Sequence, residues 1–530
     1  MNIKKLKELV AIESITNSEK EVLAEEWYVN ELRSHPYFKQ YPNQMGWDII
    51  PGDVLKRGVV WGLYLSEPRS QDTVVFINHH DVVSVEEYGQ DREFAFDPDM
   101  LQKIFPKRSL PQDAKVDLES GQWLFGRGVA DMKGGGVTQL GVLDEVIEEE
   151  LPMNILFLTV PDEENLSLGM RYGRILMDKI EKEFDLHYIL CIDGEPYMDW
   201  VENKVTYYDS SAGKVMLNVY VQGKKSHIGE VLTGLNPLAI LGRLMARTEW
   251  DTSLCDRTEH VVAPPPTWSI AGDFKERYDA SIPQSAGGLY CQVTVSKTAM
   301  EILDEFKIMA QEVLQESLKI YREATRNFYG TEANTSMEIL TFKEIWAMAK
   351  EKDREEAKIV IEDLKKKYRK SLDQGDLSIP EFNFYIIQGL LEYLDIDEPC
   401  MVLAISPPYY PYAPNELEDS WKRILEESGK EVYGQEMYNA HYFMGISDLS
   451  YLSTKETKEE IREISENIPM WNEDYFIPFE ELSKYKIPVI NLGPWGKDIH
   501  KRTERVYLPH IQGQTKDHYL NFLKKLSKLK

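Results

Sequence analysis

The chain has 530 residues, and its 61 Lys and Arg against 89 Asp and Glu give a net charge of −28. This acidity argues against nucleic acid and anionic membrane surfaces as partners, because a strongly negative protein repels phosphate groups. With 42% hydrophobic residues, a chain of this length can build one large core and one smaller core, so we expect two domains.

The first 211 residues alternate short β-rich runs with helical patterns. The predicted elements are strands at 73–78, 154–160 and 187–192 and helices after Asp131 and at 168–182. This alternation is typical of an α/β domain with a largely parallel sheet. Charged residues and histidines follow these strands, where the carboxyl ends of an open α/β sheet form ligand crevices. We therefore expect the chemistry at one edge of this sheet.

A different pattern begins at residue 212. The predicted elements are strands at 215–223 and 287–296, helices at 237–248 and 298–324, and solvated, highly charged helices within 337–372. This pattern predicts a smaller α+β domain, at 212–394, inserted between catalytic segments 1–211 and 395–530. The return of α/β character at 400–405 and 486–493 sets the second boundary.

The cysteines lie far apart and form no C-x-x-C motif; they are Cys191, Cys255, Cys291 and Cys400. Their spacing disfavours a disulfide framework and a thiolate zinc site, and it fits a reducing compartment. No apolar run approaches the ~20 residues that span a bilayer. The first residues follow an amphipathic helical pattern rather than that of a signal peptide. We therefore expect a soluble cytoplasmic protein.

Two segments of the first domain could support metal chemistry. His79 ends a predicted strand, and Asp81 can accept the second ring N–H of a metal-bound imidazole. Asp131 precedes the glycines at 134–136, which allow close backbone approach, and a carboxylate fixed there can bridge two cations. A phosphate-binding loop is the rival interpretation of the glycine segment. It is disfavoured because neither G-x-G-x-x-G nor G-x-x-x-x-G-K-[ST] occurs.

Three carboxylates, Asp162, Glu163 and Glu164, follow the strand at 154–160. Adjacent side chains point in different directions, so one glutamate can bind a metal while its neighbour acts as a general base. An acidic loop or helix N-terminus is the alternative explanation.

The last two candidate segments also follow strands. Asp193 and Glu195 come after the strand at 187–192, and His500 precedes Glu504 in a loop near the C-terminus. Taken alone, an acidic turn and a surface histidine explain them as well. Taken with the other segments, they complete a set of two histidines and three carboxylates that suits a two-zinc site.

In this order, the five segments resemble the zinc-dependent hydrolase family of glutamate carboxypeptidase, acetylornithine deacetylase, succinyl-diaminopimelate desuccinylase and aminoacylase. The family pattern is H-x-D-V-V, D-M-K-G-G, D-E-E, an acid followed by Pro, and H-x-x-x-E. Its counterparts here begin at His79, Asp131, Asp162, Glu195 and His500. The resemblance implies a two-zinc exopeptidase-like catalytic domain with an inserted lid and dimerisation domain.

The resemblance also implies a metal-binding role for each matched residue. One zinc ion would be held by His79 and Glu195, the other by Glu164 and His500, and Asp131 would lie between them. Cobalt or manganese could replace zinc. Asp193 competes with Glu195, because some dipeptidases of the family use an Asp at this strand end; Pro196 favours Glu195.

Three further residues receive catalytic roles from the resemblance. Asp81 would orient His79, and Glu163 would take the proton of the attacking water and deliver it to the leaving nitrogen. His227, in GKKSHIGEVLTGLNP, matches a histidine that reaches into the partner subunit's site to stabilise the oxyanion, which implies a homodimer.

Segments outside the metal set, PPYYP, GISDLSYL and NLGPWGKDIHKRTERVY, resemble one branch of the family, the RocB-type proteins associated with arginine breakdown. We therefore expect a hydrolase that cleaves an amide or peptide bond of a small amino-acid-derived substrate in the context of arginine degradation. The alternative is a non-catalytic metal- or amino-acid-binding protein on the same fold. Metal content and activity on N-acyl amino acids and dipeptides would separate the two.

Overall fold

The computed structural model describes residues 2–198, 204–275, 277–373, 375–414, 417–443, 445–472 and 475–529. The chain divides into two compact units. The first unit comprises Met1–Ala212, Ala413–Thr454 and Ile477–Lys530, and the second comprises Gly213–Tyr412 and Lys455–Phe476. Within these described ranges, no helix combines the length and the apolarity that crossing a membrane requires.

The strands are named in chain order. They are β1 (Met45–Ile49), β2 (Gly58–Tyr64), β3 (Asp72–His79), β4 (Trp123–Phe125), β5 (Asn154–Val160), β6 (His187–Asp193), β7 (Thr206–Tyr207), β8 (Ser210–Ser211), β9 (Gly213–Gln222), β10 (Thr267–Asp273), β11 (Ser285–Thr294), β12 (Glu338–Thr341), β13 (Cys400–Tyr410), β14 (Tyr438–Asn439), β15 (Tyr442–Phe443), β16 (Val489–Asn491), β17 (Gly496–Lys497) and β18 (Arg505–Tyr507).

The α-helices are named in the same way. They are α1 (Asn2–Val10), α2 (Lys20–Ser34), α3 (Pro36–Gln40), α4 (Pro98–Ile104), α5 (Gln112–Ser120), α6 (Lys133–Glu148), α7 (Leu168–Phe184), α8 (Pro237–Thr248), α9 (Ala299–Tyr329), α10 (Phe342–Asp373), α11 (Ile379–Tyr393), α12 (Asp419–Tyr433), α13 (Lys458–Asn467), α14 (Phe479–Leu482) and α15 (Thr515–Leu526).

The main sheet of the first unit has the strand order β1-β2-β5-β3-β6-β16. Strands β5, β3, β6 and β16 are parallel, whereas β2 runs antiparallel to both of its neighbours, β1 and β5. Every residue of β5, NILFLTV, is buried, as expected for a strand in a sheet covered on both faces. The α/β fold class with a largely parallel sheet is therefore confirmed.

Strand register places the candidate residues at one edge of this sheet. His79, the last residue of β3, lies opposite Val160, the last residue of β5. On the other side of β3, Ile77 lies opposite Asp193, the last residue of β6. The segments that follow β3, β5 and β6 therefore all leave the sheet at the same edge, which is where the sequence predicted the chemistry.

The second unit is built on a sheet with the order β10-β11-β9-β13-β12. Its boundary corrects the predicted insertion at 212–394, because β13 pairs antiparallel with β9, with Cys400 opposite Gln222. Residues 400–405, assigned from the sequence to the catalytic domain, thus belong to the second unit, as does the segment Lys455–Phe476. An apolar run shows that a strand forms, but not which sheet it joins.

The charged segment of the second unit forms α10, which is interrupted at Asp353. Its apolar stripe faces the core of that unit through Phe342, Ile345, Ala349, Ala357 and Ile361, while most of its charged residues are exposed. On each side of the interruption these positions recur three or four residues apart, which places them on one face of each helical segment. The prediction of solvated helices with one apolar stripe is confirmed.

Candidate metal centre

Five predicted metal ligands lie together at the carboxyl edge of the main sheet. His79 Nε2 lies 3.1 Å from Asp131 Oδ1 and 3.2 Å from Glu195 Oε1. His500 Nε2 lies 3.1 Å from Asp131 Oδ2 and 3.1 Å from Glu164 Oε2. The two carboxylate oxygens of Asp131 therefore face two different histidines, each accompanied by a glutamate.

These separations fit two metal ions. Two donors bound to one tetrahedral zinc ion at about 2.1 Å lie about 3.4 Å apart, close to the observed 3.1 and 3.2 Å. One oxygen of Glu195, Oε2, is buried without a hydrogen-bond partner among the described residues. Such an orphaned carboxylate oxygen is costly unless a cation or a donor satisfies it. The donor set of imidazole and carboxylate is one that zinc accepts.

The electrostatics of the cluster also favour a bound cation. Burial raises the pKa of Glu164 and Glu195, and the neighbouring charge of Asp131 raises both further. Burial opposes the charged form of His79, but hydrogen bonds to Asp131, Asp81 and Glu195 raise its pKa well above its usual value. The cluster thus buries more negative charge than its own groups offset, and bound cations would compensate it.

Glu163 lies beside the predicted ligands. Its Oε2 is 3.9 Å from His79 Nε2, and among the described residues it belongs with His79 and Glu195 to one of two groups whose donor atoms lie within 4.8 Å of one another. The other group is His79, Asp131 and Glu164. Burial raises the pKa of the Glu163 carboxyl well above its usual value. A buried carboxylate with a raised pKa is a stronger proton acceptor than an exposed one.

Asp81 contacts both His79 and the acidic loop. His79 Nδ1 lies 3.0 Å from the backbone oxygen of Asp81 and 3.5 Å from its carboxylate. The two carboxylate oxygens accept the backbone N–H groups of Glu163 and Glu164, each at 3.1 Å. The orientation of the ring therefore rests mainly on the backbone of Asp81, whereas its side chain fixes the loop that carries the two glutamates.

The competing residue, Asp193, is hydrogen-bonded outside this donor set. Its Oδ2 accepts a hydrogen bond of 2.9 Å from Ser447 Oγ, and burial raises its pKa to about 7. Asp448, which follows Ser447 in the chain, is also buried, and burial raises the pKa of its carboxyl well above the usual value. Ser447 and Asp448 were not assigned roles from the sequence, although they lie within the GISDLSYL segment.

Close backbone packing explains one glycine of the D-M-K-G-G motif. A Cβ at Gly135, in the first turn of α6, would lie 2.0 Å from the carbonyl oxygen of Gly194. Gly194 separates Asp193 from Glu195. A side chain at position 135 would therefore push against the backbone that carries Glu195.

The acidic loop is held from its other side by a buried arginine. Arg57, 4% exposed, forms ion pairs with three carboxylates; they belong to Glu21, Asp53 and Asp162. Glu21 also accepts the backbone N–H of Asp162 at 3.0 Å. Asp162 has a positive φ of 68°, so these contacts stabilise a backbone conformation that L-residues rarely adopt. Arg57 and Glu21 are positioning groups that sequence reasoning missed.

His227 lies in the second unit, apart in the chain from the metal cluster. Its exposed ring begins a short helical turn at Ile228–Thr233, where Nδ1 accepts the backbone N–H of Gly229 at 3.1 Å. The role predicted for His227 in a partner subunit stays a prediction.

The sequence of the chain also matches a known protein family. The profile of Peptidase family M20/M25/M40 matches residues 75–475. The chain belongs to this family. It is therefore a metal-dependent hydrolase of the amidohydrolase and peptidase type.

Two relatives match nearly the whole chain. The YqjN protein of Bacillus subtilis (strain 168) is 32% identical over 517 residues, covering 95% of this chain and 92% of the relative. Protein RocB of the same organism is 29% identical over 519 residues, covering 95% and 90%. The M20 family metallo-carboxypeptidase Sso-CP2 of Sulfolobus solfataricus, 11% identical, covers 99% of both chains with a TM-score of 0.57, which shows the shared fold.

Proposed function

We propose that this protein hydrolyses an amide or peptide bond of a small amino-acid-derived substrate at a two-zinc centre. The proposed ligands are His79 and Glu195 at one position, Glu164 and His500 at the other, and Asp131 between them. The observation that supports this most directly is the division of the Asp131 carboxylate, with Oδ1 3.1 Å from His79 and Oδ2 3.1 Å from His500. A carboxylate so placed can bridge two cations.

Bound at these positions, two zinc ions would supply a water acidic enough to attack near neutral pH and a Lewis acid for the substrate carbonyl. Glu163 takes the proton of that water and returns it to the leaving nitrogen, giving a carboxylate and an amine. Its position next to Glu164 keeps it beside the centre. Asp81 holds both glutamates through their backbone N–H groups.

Glu195 is the better candidate than Asp193 for the fifth ligand. Glu195 Oε1 is 3.2 Å from His79 Nε2, and its second oxygen has no hydrogen-bond partner among the described residues. Asp193, by contrast, already accepts a hydrogen bond from Ser447.

The finer parts of the proposal rest on the resemblance to the RocB-type proteins and to the wider family. We propose an arginine-derived substrate, a homodimer in which His227 serves the partner subunit's site, and a cytoplasmic location. The four cysteines, all free in the structure, are consistent with a reducing compartment.

The decisive variant is Glu163→Gln, which keeps the size of the side chain and removes its basicity. We expect turnover to fall by roughly 10²–10⁴-fold while about two zinc ions per chain remain bound. The measurement combines metal analysis with hydrolysis of a panel of N-acyl amino acids, arginine derivatives and dipeptides. Glu164→Gln is the matched control, and it should lose metal as well as activity.

A fully active Glu163→Gln variant would rule out the assigned base. Wild-type protein that binds two metal ions but hydrolyses nothing in the panel would instead favour a binding protein on the same fold.

A further inference from the structure

Glu504 is a buried carboxylate that contacts the backbone of the proposed bridging residue. Its side chain is fully buried, and its Oε1 accepts the backbone N–H groups of Ala130 at 3.2 Å and Asp131 at 3.3 Å. Its Oε2 accepts a hydrogen bond of 2.5 Å from Arg127 Nη1. One carboxylate thus joins a guanidinium to the two peptide groups that lead into Asp131.

The guanidinium of Arg127 is itself held in place. Arg127 is 1% exposed, its Nε donates to the backbone oxygen of Ser84 at 3.2 Å, and it forms an ion pair with Glu87. Its guanidinium carbon also lies 5.5 Å from the ring centroid of Tyr88. Because planar guanidinium groups make directional hydrogen bonds, an arginine fixed on several sides leaves Glu504 little freedom to move.

Glu504 also belongs to the segment that supplies the second histidine. It follows His500 by four residues, and its backbone oxygen accepts the N–H of Gly126 at 3.1 Å. The same segment is anchored by the buried Arg505, which pairs with Asp117 and Asp498. The side chain of Glu504 therefore contacts the backbone of Asp131, while its own backbone belongs to the segment that carries His500.

We propose that the Arg127–Glu504 pair is a positioning device that places the Asp131 carboxylate between His79 and His500 and so sets the affinity for both metal ions. This inference rests on the proposed two-metal function. Metal sites tolerate ligand displacements of only about 0.2 Å, so small changes in the Asp131 backbone should weaken binding without unfolding the protein. Hydrogen-bonded partners behind metal ligands typically change metal affinity by 10–100-fold when they are removed.

The test compares zinc affinity in wild-type protein and Glu504→Gln. Gln keeps the shape of the side chain but is uncharged and has one acceptor oxygen instead of two. It can no longer accept a hydrogen bond from Arg127 on one oxygen and from the two backbone N–H groups on the other. We expect zinc binding, measured by competition with a chromophoric chelator, to weaken by about 10–100-fold. The visible absorption of the cobalt-loaded protein should also change, because it reports ligand geometry.

The matched control is Asp178→Asn, which breaks another buried pair, between Arg174 and Asp178, that contacts none of the proposed metal ligands. It should lower the thermal unfolding midpoint of the metal-free protein yet leave zinc affinity within about twofold of wild type. Arg127→Lys keeps the charge with fewer donors and should give a smaller loss in the same direction as Glu504→Gln. If Glu504→Gln does not fold, the zinc affinity of Arg127→Lys provides the test.

Zinc affinity and a cobalt spectrum like those of wild type in the folded Glu504→Gln or Arg127→Lys protein would overturn the positioning role. An equal loss of affinity in Asp178→Asn would also overturn it, because the loss would then follow from general destabilisation. Wild-type protein that binds no zinc would refute the two-metal function itself, which is a separate and recognisable result.

Discussion

Gly135→Ala is a stringent test of the packing behind the metal centre. The added Cβ would lie 2.0 Å from the carbonyl oxygen of Gly194, whereas ordinary contacts begin near 3.4 Å, so helix α6 and the Gly194 backbone must separate by about 1.4 Å. Overpacking of this kind costs about 1–3 kcal/mol, against about 1 kcal/mol of helix propensity gained by replacing glycine. Because Glu195 follows Gly194, we also expect activity to fall by about 100-fold, the usual effect of a 1 Å misplacement.

The control lies on the same helix. A Cβ at Gly141 would meet only the end of the Asn2 side chain, at 3.3 Å, which can rotate away. Gly141→Ala should therefore leave stability unchanged or raise it by up to about 1 kcal/mol, with activity retained. Urea unfolding of both variants, with hydrolysis rates in parallel, measures the difference. Gly135→Ala protein that is as stable and as active as Gly141→Ala would refute the close approach of the two backbones.

Two further predictions concern buried ionisable groups that are not proposed metal ligands. Burial lowers the pKa of His518 to about 4 from 6.5, so the unfolded chain takes up its proton first as pH falls, and stability is lost from about pH 6.5 down to about pH 4. His518→Gln should remove about 1.36 kcal/mol per pH unit of that slope, measured by urea unfolding of metal-free protein; identical slopes would contradict it. Arg57→Met should destabilise the fold by about 3–5 kcal/mol, because three buried carboxylates lose their partner. Arg326→Met, which removes an exposed pair with Glu332, should cost less than about 1 kcal/mol when both variants are compared by urea unfolding, and equal losses would count against the buried cluster.

Most of the helices and strands could be predicted from the pattern of apolar residues. The amphipathic run at 237–248 coincides with α8 because its apolar residues follow the helical period, and the run at 154–160 coincides with β5 because it is short, apolar and rich in β-branched and aromatic residues. Strand pairing was harder to predict. Residues 400–405 form part of β13, whose partner β9 lies almost 180 residues earlier in the chain, and nothing in a local pattern encodes so distant a contact.

The cluster of candidate ligands was predictable because parallel strands end at a common edge, but its geometry was not. His79, Asp131 and Glu164 could be named from residue type and order. The Asp131 oxygens, each 3.1 Å from a different histidine, belong to a residue whose backbone N–H is bound by Glu504, 373 residues further along the chain. Glu504 and Arg127 left no local signal beyond the H-x-x-x-E spacing, since a buried ion pair requires only that the two residues meet in space.

The choice between Asp193 and Glu195 shows the limit of spacing arguments. Residues i and i+2 of a strand point to the same face, so a continued β6 would place both carboxylates on one side. The strand instead ends at Asp193, and the following Gly194 lies so close to α6 that a Cβ at Gly135 would be 2.0 Å from its carbonyl oxygen. Asp193 is hydrogen-bonded to Ser447, whereas Glu195 Oε1 lies 3.2 Å from His79 Nε2. The close approach of Gly135 to Gly194 therefore bears on which of the two carboxylates reaches His79, a distinction that residue spacing alone does not make.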